Sequence, residues 1–263
     1  MEKQNVKEQL SDIKRILFQS ERYIESLLNR NFDTDNKFSV IKDATILGIF
    51  ISLIDKARSL NLLLENKYYA GNNTLLRSIF EEEIYLEYIL KENTMNRTRA
   101  YIASSKLKAQ KMLKTASKTN ALGNKIREVT NLEISDLEKI FSQVPEENIT
   151  NLEKEYLDLT GETNPDKWYK EKNNVTSFRG VCEYLGVEHL ANYEILYRLL
   201  SQEVHGKNSN SYFTIQDNQL VVEPLKEEPM VLSLMRATVV SAGIAISTYY
   251  DDSEKFREII SII

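Results

Sequence analysis

Residues Thr45–Glu65 read TILGIFISLIDKARSLNLLLE, a largely apolar run broken by scattered charged and polar residues, with one glycine and no proline. A run of this length and composition reads as a long buried helix, extending from about Ser39 to Asn66. The rest of the chain supports the same class. Only 8 glycines and 4 prolines occur in 263 residues, and sheet-rich folds need many more such turn-forming residues. Leu, Ile, Glu and Lys are abundant, and all four tolerate helix well.

Working outward, residues 3–30 form a first amphipathic helix, with Val6, Leu10, Ile13, Ile16 and Leu17 on one face. The loop NFDTDN (31–36) separates it from the apolar helix. After a break at Lys67–Tyr68, AGNNTLLRSIFEEEIYLEYILKEN (70–93) is a third helix, and a basic fourth spans about 97–119. From Asn120 to Asn174 the pattern weakens. ISDLEKIFSQV (134–144) and NITNLEKEYLDL (148–159) read as short helices capped by Ser135 and Thr150. NPDKWYKEKN (164–173) is a turn-led insertion carrying the single tryptophan, Trp168, and SFRGVCEYLGV (177–187) is a helix capped by Ser177. SYFTIQDNQLVVEP (211–224) alternates around Asp217–Asn218, the pattern of a β-hairpin. Helices at about 229–251 and 253–261 complete the chain. The expected architecture is all-α: one helical domain over 1–263, with a core bundle at about 39–120 and 189–251. A helical insertion at 121–188 and a small hairpin at 211–224 are added to it.

Composition removes several function classes. One cysteine, Cys182, and two histidines leave no internal disulfide and no structural zinc site of the Cys/His type. Cys182, between Val181 and Leu185, reads as a core thiol, and His189, opening a helix, as a surface residue. No Gly-rich phosphate loop, no His-Glu-x-x-His and no acidic cluster at metal-binding spacing is present, so no cofactor or metal is expected. The most apolar stretch, Met230–Tyr250, contains Arg236 and several hydroxyl residues and reads as a core helix rather than a membrane span. The N-terminal residues lack the apolar segment of a signal peptide, and the expected location is cytoplasmic.

Net charge is −5, which opposes general nucleic-acid binding. Its distribution is uneven: between Asn96 and Arg127 nine Lys and Arg occur without an Asp or Glu. Lys111, Lys114 and Lys118 recur at i, i+3, i+7 and form a helical stripe. That stripe is either a solvated face pairing with the acidic run Glu81–Glu83 or a surface that tracks an anionic backbone.

The stretch EILYRLLSQEVHGKNSN (194–210) holds the best candidates for chemistry. Arg198 and His205 are seven positions apart and share a helical face with Tyr197 and Ser201. Gly206 is a natural helix end, placing His205 in a last turn whose carbonyls favour its charged form. In a purely structural alternative, His205 caps its helix and Arg198 pairs with an acid. Arg77 and Glu81, one turn apart in an apolar stretch of the third helix, are either a same-helix ion pair or partners of that seam.

YYAGNNTLLRSIFEEEIYLEYIL followed much later by LYRLLSQEVHG resembles a bacterial helical family known only as domain of unknown function 5677, over roughly residues 45–215. The resemblance matches its Arg-x-x-x-Glu helix to Arg77 and Glu81, its tryptophan to Trp168, and its Tyr-x-x-x-Ser-x-x-x-His helix to Tyr197, Ser201 and His205. The span Arg198–His205 is also similar to the HEPN superfamily signature, an arginine, four to six residues, and a histidine, although Leu199 stands where a polar residue often follows the arginine. That likeness implies a metal-independent ribonuclease in a toxin–antitoxin or phage-defence setting, acting as a homodimer on RNA. It equally implies a non-catalytic module that engages an antitoxin or another defence partner.

Overall fold

A computed structural model describes residues 6–30, 37–141, 149–170, 175–197, 213–216, 219–222, 228–254 and 256. These residues divide into two compact units, residues 1–92 with 185–263 and residues 93–184.

The first unit is built on four long helices: α1 (Val6–Leu28), α2 (Lys37–Glu65), α3 (Asn72–Lys91) and α10 (Glu228–Tyr249). In α2 the buried residues Ile46, Phe50, Leu53, Ala57, Leu60 and Leu64 recur at alternating spacings of four and three. Leu232, Met235, Val239, Ala242 and Ile246 repeat the pattern in α10. This is the seam of helices packed lengthwise against one another. α1 lies against α2 and α10, α3 lies against the same pair, and α2 and α10 also meet each other. The quartet therefore encloses a shared core. By length and composition α10 could cross a membrane, yet here one of its faces is buried in that core while Arg236 is exposed. Gly243 lets the Phe256 ring lie directly on α10, in space that a Cβ would occupy, and that ring also meets Tyr23 of α1 at 5.4 Å.

α3 begins after Gly71, whose φ of 85° is accessible to glycine at little cost. Two short helical segments follow the second unit: α9 (Val187–Asn192), entered through Gly186 at φ 143°, and a π-helical turn, Tyr193–Tyr197. The helical path thus enters Glu194 from upstream, where the sequence had suggested that a helix opens. Strands β1 (Phe213–Gln216) and β2 (Gln219–Val222) pair antiparallel, with Phe213 opposite Val222 and Gln216 opposite Gln219. Their connection and flanks lie outside the described residues, as do Gly206 and most of the expected 253–261 helix.

The second unit is organised on α4 (Thr94–Ala116), which meets α5 (Ala121–Thr130), α6 (Ile134–Phe141), α7 (Ile149–Thr160) and a 3-10 turn at Pro165–Lys167. α8 (Phe178–Leu185) ends it. Ala100, Ala103 and Ser104 are buried on α4, and the buried Trp168 meets Tyr101 of the same helix edge-on at 5.0 Å. The Ser104 hydroxyl donates to the Pro165 carbonyl at 2.6 Å, and Tyr156 to that of Asn164 at 2.8 Å. The expected core bundle ran to residue 120 and the insertion began at 121. Instead α4 itself belongs with the second unit, because its buried face is matched to α5–α7.

Several local expectations change as well. α5 was missed, although Asn120 caps it through the Gly123 amide at 2.9 Å. α6 opens with Asp136 accepting from the Glu133 amide, so Ser135 is not its cap. Thr150 lies within α7, whereas Ser177 does cap α8 through Gly180 at 3.1 Å. α4 stops at Ala116, where Arg127 of α5 reaches back to the carbonyls of Ala116 and Lys118. Lys118 therefore falls off the helix that was expected to carry all three lysines.

Candidate functional site

The apolar stretch around Arg77 places a guanidinium where it needs partners, and two are supplied. Arg77 Nε donates to Glu81 Oε1 at 2.9 Å, one turn along α3, and Nη2 donates to the Tyr197 hydroxyl at 2.6 Å. The guanidinium also lies over the Tyr197 ring, 4.5 Å from its centroid. Tyr197 closes the π-helical turn, stacked on Tyr193 at 5.0 Å and packed near the buried Phe80 at 6.5 Å. π-turns are rare and often mark functional positions. Burial pushes the Tyr197 hydroxyl up to about 12, helped by the Glu81 charge. Burial opposes the charge on Arg77, but Glu81 and Tyr197 outweigh it and hold the guanidinium above its ordinary range. The result is a cation fixed against Tyr197, the residue immediately before Arg198 in the chain. Arg198, Ser201 and His205 themselves lie outside the described residues.

A second polar centre was not anticipated. His189, expected at the surface, is half-buried, and its Nε2 lies 2.8 Å from Glu87 Oε2. The Ser241 hydroxyl of α10 donates to Glu87 Oε1 at 2.5 Å. Glu83, one turn before Glu87 on α3, is buried, and the three ligand atoms of Glu83, Glu87 and His189 lie within 4.8 Å of one another. Burial raises the Glu83 carboxyl well above the usual range, and the neighbouring Glu87 charge adds to it. Burial acts the same way on Glu87, but His189 and Ser241 reverse it and hold that carboxyl below its ordinary value. Three potential donors therefore converge in a cluster that sequence spacing alone had not brought together. Its helical half, Glu83 and Glu87, was visible at i, i+4; the histidine arrives from a distant segment.

The two centres share a frame. Glu87 meets His189 and Arg77 meets Tyr197, so α3 and the α9–π segment run antiparallel. Ten residues of α3 span about 15 Å between them.

The basic segment also sorts itself. Arg97 is buried, donates to the Tyr184 hydroxyl at 3.3 Å and lies over its ring. Arg99 pairs with Glu155 at 2.8 Å, Lys108 with Asp166 at 3.0 Å, and Lys125 with Glu128 at 2.7 Å. Lys111, Lys114 and Lys118 are exposed and make no ion pair among the described residues. The acidic run has other commitments: Glu81 to Arg77, Glu82 to Lys56 at 2.7 Å, and Glu83 to the interior.

The model of a family of unknown function, DUF5677, matches residues 43–220. Searches of curated proteins and of solved structures returned no match.

Proposed function

The chain belongs to the DUF5677 family, and from that premise we propose that it is a metal-independent ribonuclease of HEPN type, serving as a toxin or phage-defence effector. The observation that carries the proposal is the Arg77–Glu81–Tyr197 clamp, which fixes the chain directly before Arg198. A four-helix core agrees with a HEPN-like bundle.

In this reading the RNA 2′-hydroxyl attacks its own phosphorus while the 5′-oxygen leaves, giving a 2′,3′-cyclic phosphate. His205 takes or gives the proton, and its copy in a homodimer performs the opposite transfer. Arg198 clamps the phosphate oxygens, since a planar fork matches them in pairs. Ser201 and Tyr197 hold substrate oxygens, with Arg77 and Glu81 orienting Tyr197. Lys111, Lys114 and Lys118 offer exposed charge to the RNA backbone.

The test is cleavage of labelled total RNA and tRNA by the purified chain in EDTA, with His205→Ala as the matched control. EDTA-resistant cleavage lost in the variant is the expected result. A second reading, a helical interaction module engaging an antitoxin or other defence partner, is favoured by one feature: Arg77 and Tyr197 already satisfy each other. Under that reading neither protein cuts RNA, and the variant melts earlier than the wild type.

A further inference from the structure

We propose that Glu83, Glu87 and His189 bind one divalent transition-metal ion of the manganese, iron or zinc class, a site separate from the ribonuclease seam. Three observations converge on it. The donor atoms lie within 4.8 Å of one another, close to the span of ligands that each sit about 2.0–2.2 Å from a common ion. The two carboxylates come from adjacent turns of a rigid core helix and the imidazole from a second element, so no single loop must fold to form the site. Two carboxyl groups face one imidazole, which pairs with Glu87 and leaves Glu83 without a cationic partner of its own in the cluster. Hydroxyls of Ser241 and Thr238 form the α10 side of the pocket. Buried carboxylates are as a rule paired or coordinate a metal.

The donor set narrows the ion. One imidazole nitrogen with carboxylate oxygens suits Mn²⁺, Fe²⁺ or Zn²⁺ better than soft Cu⁺, which seeks thiolates, or Ca²⁺, which takes oxygen alone. Solvent reaches the cluster from its outer side, where the side chains of Glu87 and His189 are 15% and 20% exposed, while Glu83 is buried. Three protein ligands leave a coordination position for water or a substrate oxygen on that outer side. The imidazole now hydrogen-bonds Glu87 directly, a contact that would give way on binding, with His189 and Glu87 then both holding the ion.

The experiment is calorimetric titration of Mn²⁺ and of Zn²⁺ into the chelator-stripped full chain. It uses wild type, Glu83→Gln, His189→Gln and His205→Ala, each checked by circular dichroism. One ion per chain is expected for wild type and His205→Ala, with affinity about tenfold or more weaker in the other two. X-ray absorption on the zinc-loaded wild type needs no variant, and should show one imidazole in the shell. Absence of binding, binding unchanged in Glu83→Gln and His189→Gln, or an all-oxygen shell would each overturn the site. The ribonuclease is EDTA-resistant by its own terms, so either proposal can fail while the other stands.

Discussion

Replacing Arg77 with lysine keeps the charge and the reach to Glu81 but removes the fork that serves two partners at once. Lysine cannot hold Glu81 at 2.9 Å while donating to the Tyr197 hydroxyl at 2.6 Å and stacking over its ring. A hydrogen bond from a charged donor contributes about 1.5–3 kcal/mol where it is well buried. The stacking adds about 0.5–1 kcal/mol at accessible positions. Arg77 and Glu81 retain 22% and 31% of their side-chain exposure, so water replaces part of what is lost, and a net cost of about 1–2 kcal/mol follows. For a cooperative unit of this size that lowers Tm by roughly 2–8 °C. Thermal and urea unfolding followed by circular dichroism would measure it, with the urea slope unchanged. The companion is Tyr197→Phe, and the two substitutions should couple by about 0.5 kcal/mol or more in a double-mutant cycle. A Tm shift of Arg77→Lys below about 1 °C, or strict additivity in the cycle, would refute the idea that this clamp holds the π-turn in place.

Three further outcomes are expected. Gly243→Ala drives a methyl group into the Phe256 ring and should cost about 1–3 kcal/mol in urea unfolding, relieved by adding Phe256→Leu. Burial lifts the Tyr197 hydroxyl to about 12 from an ordinary 10.0. Folding therefore favours its neutral form, and stability complete below pH 10 declines as pH rises towards 12. Tyr197→Phe should flatten that part of the curve, as read by urea unfolding at stepped pH. If Lys111, Lys114 and Lys118 contact RNA phosphates, changing all three to glutamine should reduce the salt slope of RNA binding by about 2–3, measured by fluorescence anisotropy. An unchanged slope would place the RNA elsewhere.

The long helices were legible because their burial repeats every three or four residues: Ile46 to Leu64 in α2 and Leu232 to Ile246 in α10 leave one reading each. α5 was not, since only its cap, Asn120, announces it, and Leu122 and Val129 remain exposed. A helix without a covered face carries a weak periodic signal. The basic run looked uniform in sequence, but burial and pairing are settled by other elements, so Arg97 and Lys111 part company despite their similar setting. Arg77 and Glu81 were recognisable as neighbours on one helix, while their meeting with Tyr197 depends on how two distant segments align. The same holds for Glu87 and His189. Spacing reports what lies on one helix and is silent on what a second brings.

The ends of the second unit have a consequence for synthesis. The chain leaves the four-helix core after Glu92 and returns at Leu185, where the Lys91 ammonium reaches the Leu185 carbonyl at 3.4 Å. α10 emerges from the ribosome some 137 residues after α3 ends, a delay of about 7–27 s at roughly 5–20 residues per second. Throughout that interval the side of α3 that carries Glu83 and Glu87 waits for a partner not yet made, while α4–α8 can already close on themselves. The nascent α1–α3 hairpin is therefore where a chaperone would find exposed apolar surface, and where a stall during translation would do most harm.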